Sequence, residues 1–208
     1  MGSNTQATIE GEASMRSLCE QGDYARAATM AIDEYGPEIL GFLHARDHSE
    51  SDACEAFAVF SEDMWKGLPS FRWESSFRTW AYVVARRAYL RVREDSYRRK
   101  AVPLSGAGDL EHIAEVVRTR TLPYLRTEVK SEVRRLRALL EPDDRDMLTL
   151  RVDRGMSWTE VARVLTGETN AGALDKEAAR LRKRYERVKT QLRRHMAAEK
   201  APASDGFR

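Results

Sequence analysis

Residues 71–94 read FRWESSFRTWAYVVARRAYLRVRE, and their spacing decides the fold. Phe77, Trp80, Ala81, Val84, Ala88 and Val92 recur at the period of an α-helix with one buried face. Arg78, Arg86, Arg87, Arg91 and Arg93 decorate the remainder, so the helix is amphipathic and strongly basic. Ser75 or Ser76 supplies its N-cap, which leaves SFRWESS (70–76) as a short connecting loop. Aromatics interleaved with arginines offer stacking and phosphate contact together, the combination that holds single-stranded nucleic acid. Phe77 and Trp80 fall on the apolar stripe and belong to the core, whereas Phe71 and Trp73, in the loop, are the candidates for stacking.

Upstream of this helix the same periodicity recurs. After a flexible tail over residues 1–14, the chain as far as Arg46 fits two helices that part near Gly36-Pro37. Leu18, Tyr24, Ala27, Ala28, Ala31, Ile32, Ile39, Leu40 and Leu43 face inward. A further helix starts at Ser49 or Ser51, buries Ala53, Phe57, Phe60, Met64 and Leu68, and closes at Gly67 and Pro69. Its other face carries Glu55, Glu62 and Asp63, which composition alone reads as a solvated surface.

Downstream, Arg98, Arg99 and Lys100 extend the basic run, and Pro103, Gly106 and Gly108 then break helical continuity. Residues 101–129 read as a linker, although IAEVVRTRTLPYLRTEVKSEVRRLRALL (113–140) regains helical spacing on both sides of Pro123. Pro142 opens a second compact unit. LEPDDRDMLTLRVDRG has Pro142 at the first helical position, acids in the first turn and Gly155 past the end. In SWTEVARVLTG, Ser157 and Glu160 form a capping box and Gly167 a left-handed stop. A long third helix, KEAARLRKRYERVKTQLRR (176–194), capped by Asp175, carries nine bases and two acids, a net +7. Two short capped helices delivering the chain to a basic third one suit a helix-turn-helix whose last helix enters a major groove. The fold class expected is all-α: two small helical domains joined by a flexible linker, the C-terminal one a helix-turn-helix.

Charge divides the same way. Residues 1–77 hold 14 acids against 5 bases, a net −9, and residues 78–208 hold 19 acids against 30 bases, a net +11. The second part is a candidate polyanion binder. Arginine outnumbers lysine 28 to 7, and where it clusters it supplies planar, bidentate contacts to phosphate and base. No apolar run is long enough to span a membrane, mean hydropathy is −0.59, and the N-terminal residues are acidic and polar where a signal peptide is basic and then apolar. A cytoplasmic protein without membrane insertion is expected. Cys19 and Cys54 form no CxxC pair, and His44 and His48, one helical turn apart, have no evident third ligand, so neither a disulfide framework nor a metal site is indicated. No glycine-rich phosphate loop or nucleophile and base constellation appears, so neither an enzyme nor a cofactor is expected.

SFRTWAYVVARRAYLRVRE resembles the promoter-opening segment of bacterial extracytoplasmic-function sigma factors, with Phe77, Thr79, Trp80, Val84, Ala85 and Arg86 matching its pattern. LEPDDRDMLTLRVDRGMSWTEVARVL is similar to the same family's upstream-element-binding domain, with Glu160, Val161 and Ala162 in its helix-turn-helix triplet. The resemblance implies a sigma region 2-like domain over residues 15–100, a linker over 101–129, a region 4-like domain over 130–198 and a flexible tail over 199–208. It implies contact with the −10 promoter element by Phe71, Arg72, Trp73, Glu74, Ser75, Arg78, Arg86, Arg87 and Arg91. For the −35 element it implies Lys176, Glu177, Arg180, Lys183, Arg184 and Arg187, and for core RNA polymerase Glu55, Glu62, Asp63 and Trp65. Three positions depart from the family pattern: Arg87 replaces an asparagine, Ala58 replaces a glutamine, and LTGETNAGALD reads as a turn several residues longer than usual. The partners implied are core RNA polymerase, promoter DNA and, as a further candidate, an anti-sigma factor. A stand-alone DNA-binding regulator, or an adaptor that docks on polymerase without directing initiation, are the competing readings.

Overall fold

The structure, a computed structural model, describes residues 2–47, 49–95, 108–128 and 132–200. Among these every regular element is helical: α1 (Gly2–Glu20), α2 (Tyr24–Asp47), α3 (Glu50–Gly67), α4 (Phe77–Asp95), α5 (Gly108–Glu128), α6 (Glu132–Ala138), α7 (Pro142–Leu148), α8 (Trp158–Thr166) and α9 (Ala171–Lys200). The chain divides into two compact units, Met1–Glu128 and Val129–Arg208.

In the first unit α2 is the central helix, packed against α1, α3, α4 and α5. Its Ile32, Ile39, Leu40, Phe42 and Leu43 are fully buried and share the core with Phe57, Phe60 and Met64 of α3 and Phe77, Tyr82 and Tyr89 of α4, Phe42 standing edge-on to Tyr82 at 5.2 Å. Each such side chain contributes about 1.5–3 kcal/mol by leaving water. Ala81, Ala85 and Ala88 are fully buried between these larger side chains of α4, which packs extensively on α3. The turn from α1 to α2 is a Schellman motif: Asp23 N–H donates to the Leu18 carbonyl at 2.9 Å, Gly22 N–H to that of Cys19 at 3.0 Å, and Gly22 takes the required left-handed conformation at φ +77.

Three expectations for this unit change. Residues 24–47 form one helix rather than two, with Pro37 inside it. An interior proline costs roughly 3 kcal/mol, and here the apolar residues buried on both sides of it hold the helix together. Gly36 serves packing instead of breaking the helix, since a Cβ there would lie 3.0 Å from a Val117 methyl on α5. Secondly, α1 begins at Gly2, inside the stretch read as a tail, and buries Met15 completely. Thirdly, residues 108–128, read as linker, form α5, which packs on α2 and α3 through Ala114 and Val117. Arg98, Arg99, Lys100, Pro103 and Gly106, with His48 of the histidine pair, lie outside the described residues.

The second unit gathers Leu136, Leu140, Met147, Leu148, Leu150, Met156, Val161, Ala162, Val164, Leu174, Ala178, Leu181 and Val188 into its own core. Pro142 stands at the start of α7 with Asp143 and Asp144 in the first turn, as expected. The helix then widens over Thr149–Asp153 into a π-type turn, with Arg154 N–H donating to the Thr149 carbonyl at 3.0 Å, and Gly155 ends it at φ +67. The Ser157–Glu160 capping box forms in both directions, and Gly167 takes the left-handed stop at φ +71. The start of the third helix differs from the sequence reading. α9 begins at Ala171, capped by Asn170, whose Oδ1 accepts from Ala173 N–H at 3.1 Å, and not by Asp175. The connection from α8 is therefore only Gly167–Asn170, and the apparent lengthening is helix. Glu168 orders that turn by accepting from the Thr169 and Asn170 amides at 2.7 and 2.8 Å, bonds that hold its carboxyl below the ordinary glutamate range.

Candidate nucleic-acid interface

The loop between α3 and α4 builds an aromatic platform. Gly67 and a 3-10 turn at Leu68–Ser70 end α3, and Phe71 N–H donates back to the Leu68 carbonyl at 3.1 Å. The chain then runs in alternation: Phe71 and Trp73 turn toward the protein and are half-buried, while Arg72 and Glu74 point outward and are exposed. Phe71 stacks on Trp80 at 4.7 Å between centroids with 24° between planes, meets Trp73 at 4.8 Å and stands edge-on to Phe77 at 5.9 Å. Phe77 is the buried base of the cluster, 1% exposed, and Trp80 is half-buried. Trp80 lies so close over Gly67 that a Cβ there would come within 2.9 Å of the indole. Trp73 holds φ +58, the one non-glycine residue in the left-handed region among the described residues, a conformation that costs a bulky side chain on the order of 1–2 kcal/mol. Ser75 is half-buried, and Ser76 caps α4 by accepting from Thr79 N–H at 3.1 Å.

The arginines of α4 fall into different environments. Arg78 forms a bidentate pair with Glu38 on α2, Nε to Oε1 at 2.8 Å and Nη2 to Oε2 at 2.9 Å, with both side chains about three-quarters covered. Such a fork is an anchoring contact. Arg91 reaches Asp63 of α3 at 2.6 Å, Arg86 is half-buried, and Arg87 projects into solvent. On α3, Glu55 is exposed, Glu62 pairs with Lys66, and Trp65 is half-buried. The ion pair of Asp63 with Arg91 thus joins a residue expected to face polymerase to one expected to face DNA.

On α9 the placement is regular. Leu174, Ala178, Leu181 and Val188 face the core, and Trp158 of α8 meets Tyr185 edge-on at 5.4 Å. Lys176, Arg180, Lys183 and Arg187 all lie on the outer side, exposed and spaced by three or four residues, so they form one cationic stripe. Glu177 bonds Arg180 at 3.2 Å. Arg184 leaves the stripe for Asp144 of α7 at 2.5 Å, a hydrogen bond that also pushes the arginine further toward its protonated form.

Sequence reasoning missed the groups that hold these faces in place. Glu12 and Glu38 fix the backbone and side chain of Arg78, Arg16 lies over the Trp73 ring at 5.8 Å, and Asp144 binds Arg184. The acidic excess of residues 1–77 contained the first two, but only the fold shows which acids of that excess meet an arginine. No group of three or more metal-ligating side chains occurs among the described residues, and none of their helices is long and apolar enough to cross a membrane.

With a basic helix rooted in an aromatic loop and a second unit presenting a cationic helix, comparison with known proteins is decisive. Residues 31–101 match the family model described as Sigma-70 region 2. The chain is 30% identical over 134 residues to the RNA polymerase sigma factor YlaC of Bacillus subtilis, an alignment that covers 64% of this chain and 75% of that protein. It is 28% identical over 167 residues to the RNA polymerase sigma-H factor of Pseudomonas aeruginosa, covering 76% and 84% of the two chains. The chain belongs to the RNA polymerase sigma factors, and among them to the extracytoplasmic-function type.

Proposed function

We propose that the first unit binds core RNA polymerase and the −10 element while the second binds the −35 element, dividing between them the work of a sigma factor that directs transcription initiation. The observation that carries this reading is the aromatic loop 71–76 at the foot of the arginine-bearing α4. Opening a promoter requires a base to leave the stack, and its capture needs an aromatic surface beside a cationic track. Phe71 and Trp73 offer that surface, Arg72, Glu74 and Ser75 its rim, and Arg87 is a track residue exposed to solvent. Arg78, Arg86 and Arg91 support the track from half-buried or ion-paired positions.

Glu55, Glu62, Asp63 and Trp65 are proposed to meet polymerase. Lys176, Arg180, Lys183 and Arg187 are proposed to meet the upstream duplex, with Glu177 and Arg184 orienting them. Polymerase performs the covalent chemistry, and this chain acts beside it in the cytoplasm. An anti-sigma factor that covers the exposed cationic faces is a further proposed partner, detectable as a protein released from the chain when polymerase is added.

Transcription by sigma-free core polymerase on fragmented genomic DNA, with RNA 5′ ends mapped, tests the reading. New starts that share two spaced upstream elements and require the protein are the expected result. Polymerase binding without new starts would return the adaptor reading, and duplex binding without polymerase would return the stand-alone regulator.

A further inference from the structure

The promoter-facing loop is braced from a direction that the sigma-factor reading does not require. α4 begins at Phe77, and its first amides need acceptors. Ser76 supplies one of them, for Thr79. The amide of Arg78 is satisfied from much farther away: it donates to Oε1 of Glu12 on α1 at 3.1 Å, across 66 residues of sequence. A carboxylate at this place also meets the positive end of the α4 dipole. One turn further along α1, Arg16 bonds Glu20 at 3.1 Å and lies over the ring of Trp73 at 5.8 Å. Between them Met15 is completely buried, and the exposed Glu34 of α2 lays its carboxylate over Gly11. One short segment of α1 therefore supplies a distant cap for the first turn of α4, a cation over the strained tryptophan in the loop and, in Met15, its own buried anchor.

We infer that residues 11–16 of α1 form a brace that holds the loop 71–76 ready for strand capture, with Glu12 as a positioning residue for promoter opening. Glu12 touches no DNA. It fixes the first turn of α4, and with it the direction in which Trp73 leaves the loop, so that the ordering of the loop precedes the encounter with the separated strand. Arg16 adds a cation over the Trp73 ring, which Phe71 meets at a tilt. This inference rests on the proposed role of the loop in opening.

The test uses polymerase holoenzyme on two versions of the strongest promoter fragment mapped with the wild-type protein: the duplex, and the same fragment mismatched so that the start region is already open. Glu12→Ala is expected to lower run-off transcription from the duplex about fivefold to tenfold, the size of one charge-assisted hydrogen bond. The pre-opened template and polymerase binding should change less than twofold. Glu12→Gln keeps an amide oxygen for the Arg78 N–H and should restore most duplex activity. Arg16→Ala, a change at an exposed side chain that leaves the core untouched, should lower duplex activity about twofold to threefold. Equal losses by Glu12→Ala on both templates, or loss of polymerase binding, would make Glu12 merely structural and overturn the inference. Full duplex activity in Glu12→Ala while Trp73→Ala is defective would overturn the brace and spare the loop. Full activity in both variants would remove the loop reading itself and the brace with it.

Discussion

Replacing Trp73 separates what its ring does from what its backbone costs. The indole packs on Phe71 at 4.8 Å and Phe77 at 6.3 Å and lies under Arg16. Loss of two aromatic contacts and a cation contact from a half-buried position is worth roughly 2–4 kcal/mol. Trp73→Ala should forfeit this and still hold a Cβ at φ +58. Trp73→Gly should forfeit the same contacts but relieve the left-handed strain, about 1–2 kcal/mol, against a gain of 0.4–1 kcal/mol in unfolded-state entropy. Glycine should therefore be the more stable replacement by about 0.5–1 kcal/mol. Calorimetric melting of the full chain, reading the transition of the first unit, measures the difference. Promoter opening, followed by permanganate reactivity of unpaired thymines, should be lost in both variants alike because both lack the ring. If Trp73→Ala melts at or above Trp73→Gly, the left-handed backbone at this position is wrong. If either variant opens promoters normally, Trp73 is no strand-capturing residue.

The Glu34 carboxyl is raised above its ordinary range, first by burial and then by the Glu12 and Glu38 carboxylates. A raised acid stabilises the fold below its unfolded pKa and loses that contribution as pH rises through the folded value, so Glu34→Gln should raise Tm at about pH 7 and lose the gain toward about pH 4; thermal scans across that range check the sign. Asn170→Ala removes the cap of α9 and should cost the second unit about 1 kcal/mol in urea melts, whereas Asp175→Ala should be near neutral. On a −35 duplex bound by holoenzyme, Arg180→Ala should shift the salt dependence of binding by about one counterion. Arg184→Ala should lower the melting temperature of the second unit instead, because Arg184 is held by Asp144.

Helix existence was legible wherever one local rule acted alone. The Ser49 and Ser76 caps, the Ser157–Glu160 box and the Gly155 and Gly167 stops appear where side-chain chemistry put them. The misreadings share a physical cause, a distant contact overriding a local signal. Gly36-Pro37 reads as a break, yet the closeness of Val117 makes glycine useful there and the buried flanks carry the helix across the proline. Asp175 and Asn170 are both competent caps, and the choice falls to Asn170 because starting there buries Leu174. Residues 2–12 carry little apolar periodicity, so nothing local announces α1; its anchor at Met15 and its bond to α4 are tertiary. Of the candidate site, the loop and both basic faces could be read from spacing, but the division into anchored and projecting arginines could not.

That division changes how a basic helix is to be interpreted. A guanidinium in a bidentate, mostly covered pair such as Arg78 with Glu38 has committed its fork to a carboxylate inside the protein, and releasing it to a phosphate would uncover the glutamate. Arg184 is tied to Asp144 in the same sense. The charge proposed to meet DNA is therefore smaller than the sequence total and more sharply placed: the exposed Arg87 on α4, and on α9 the stripe Lys176, Arg180, Lys183 and Arg187, in which Arg180 also bonds Glu177. The acids of the first half of the chain are then more than a solvated surplus. Glu12 and Glu38 hold the backbone and the side chain of one arginine at the start of α4, and that arginine stands immediately beyond the loop whose aromatic side chains are proposed to meet the separated strand.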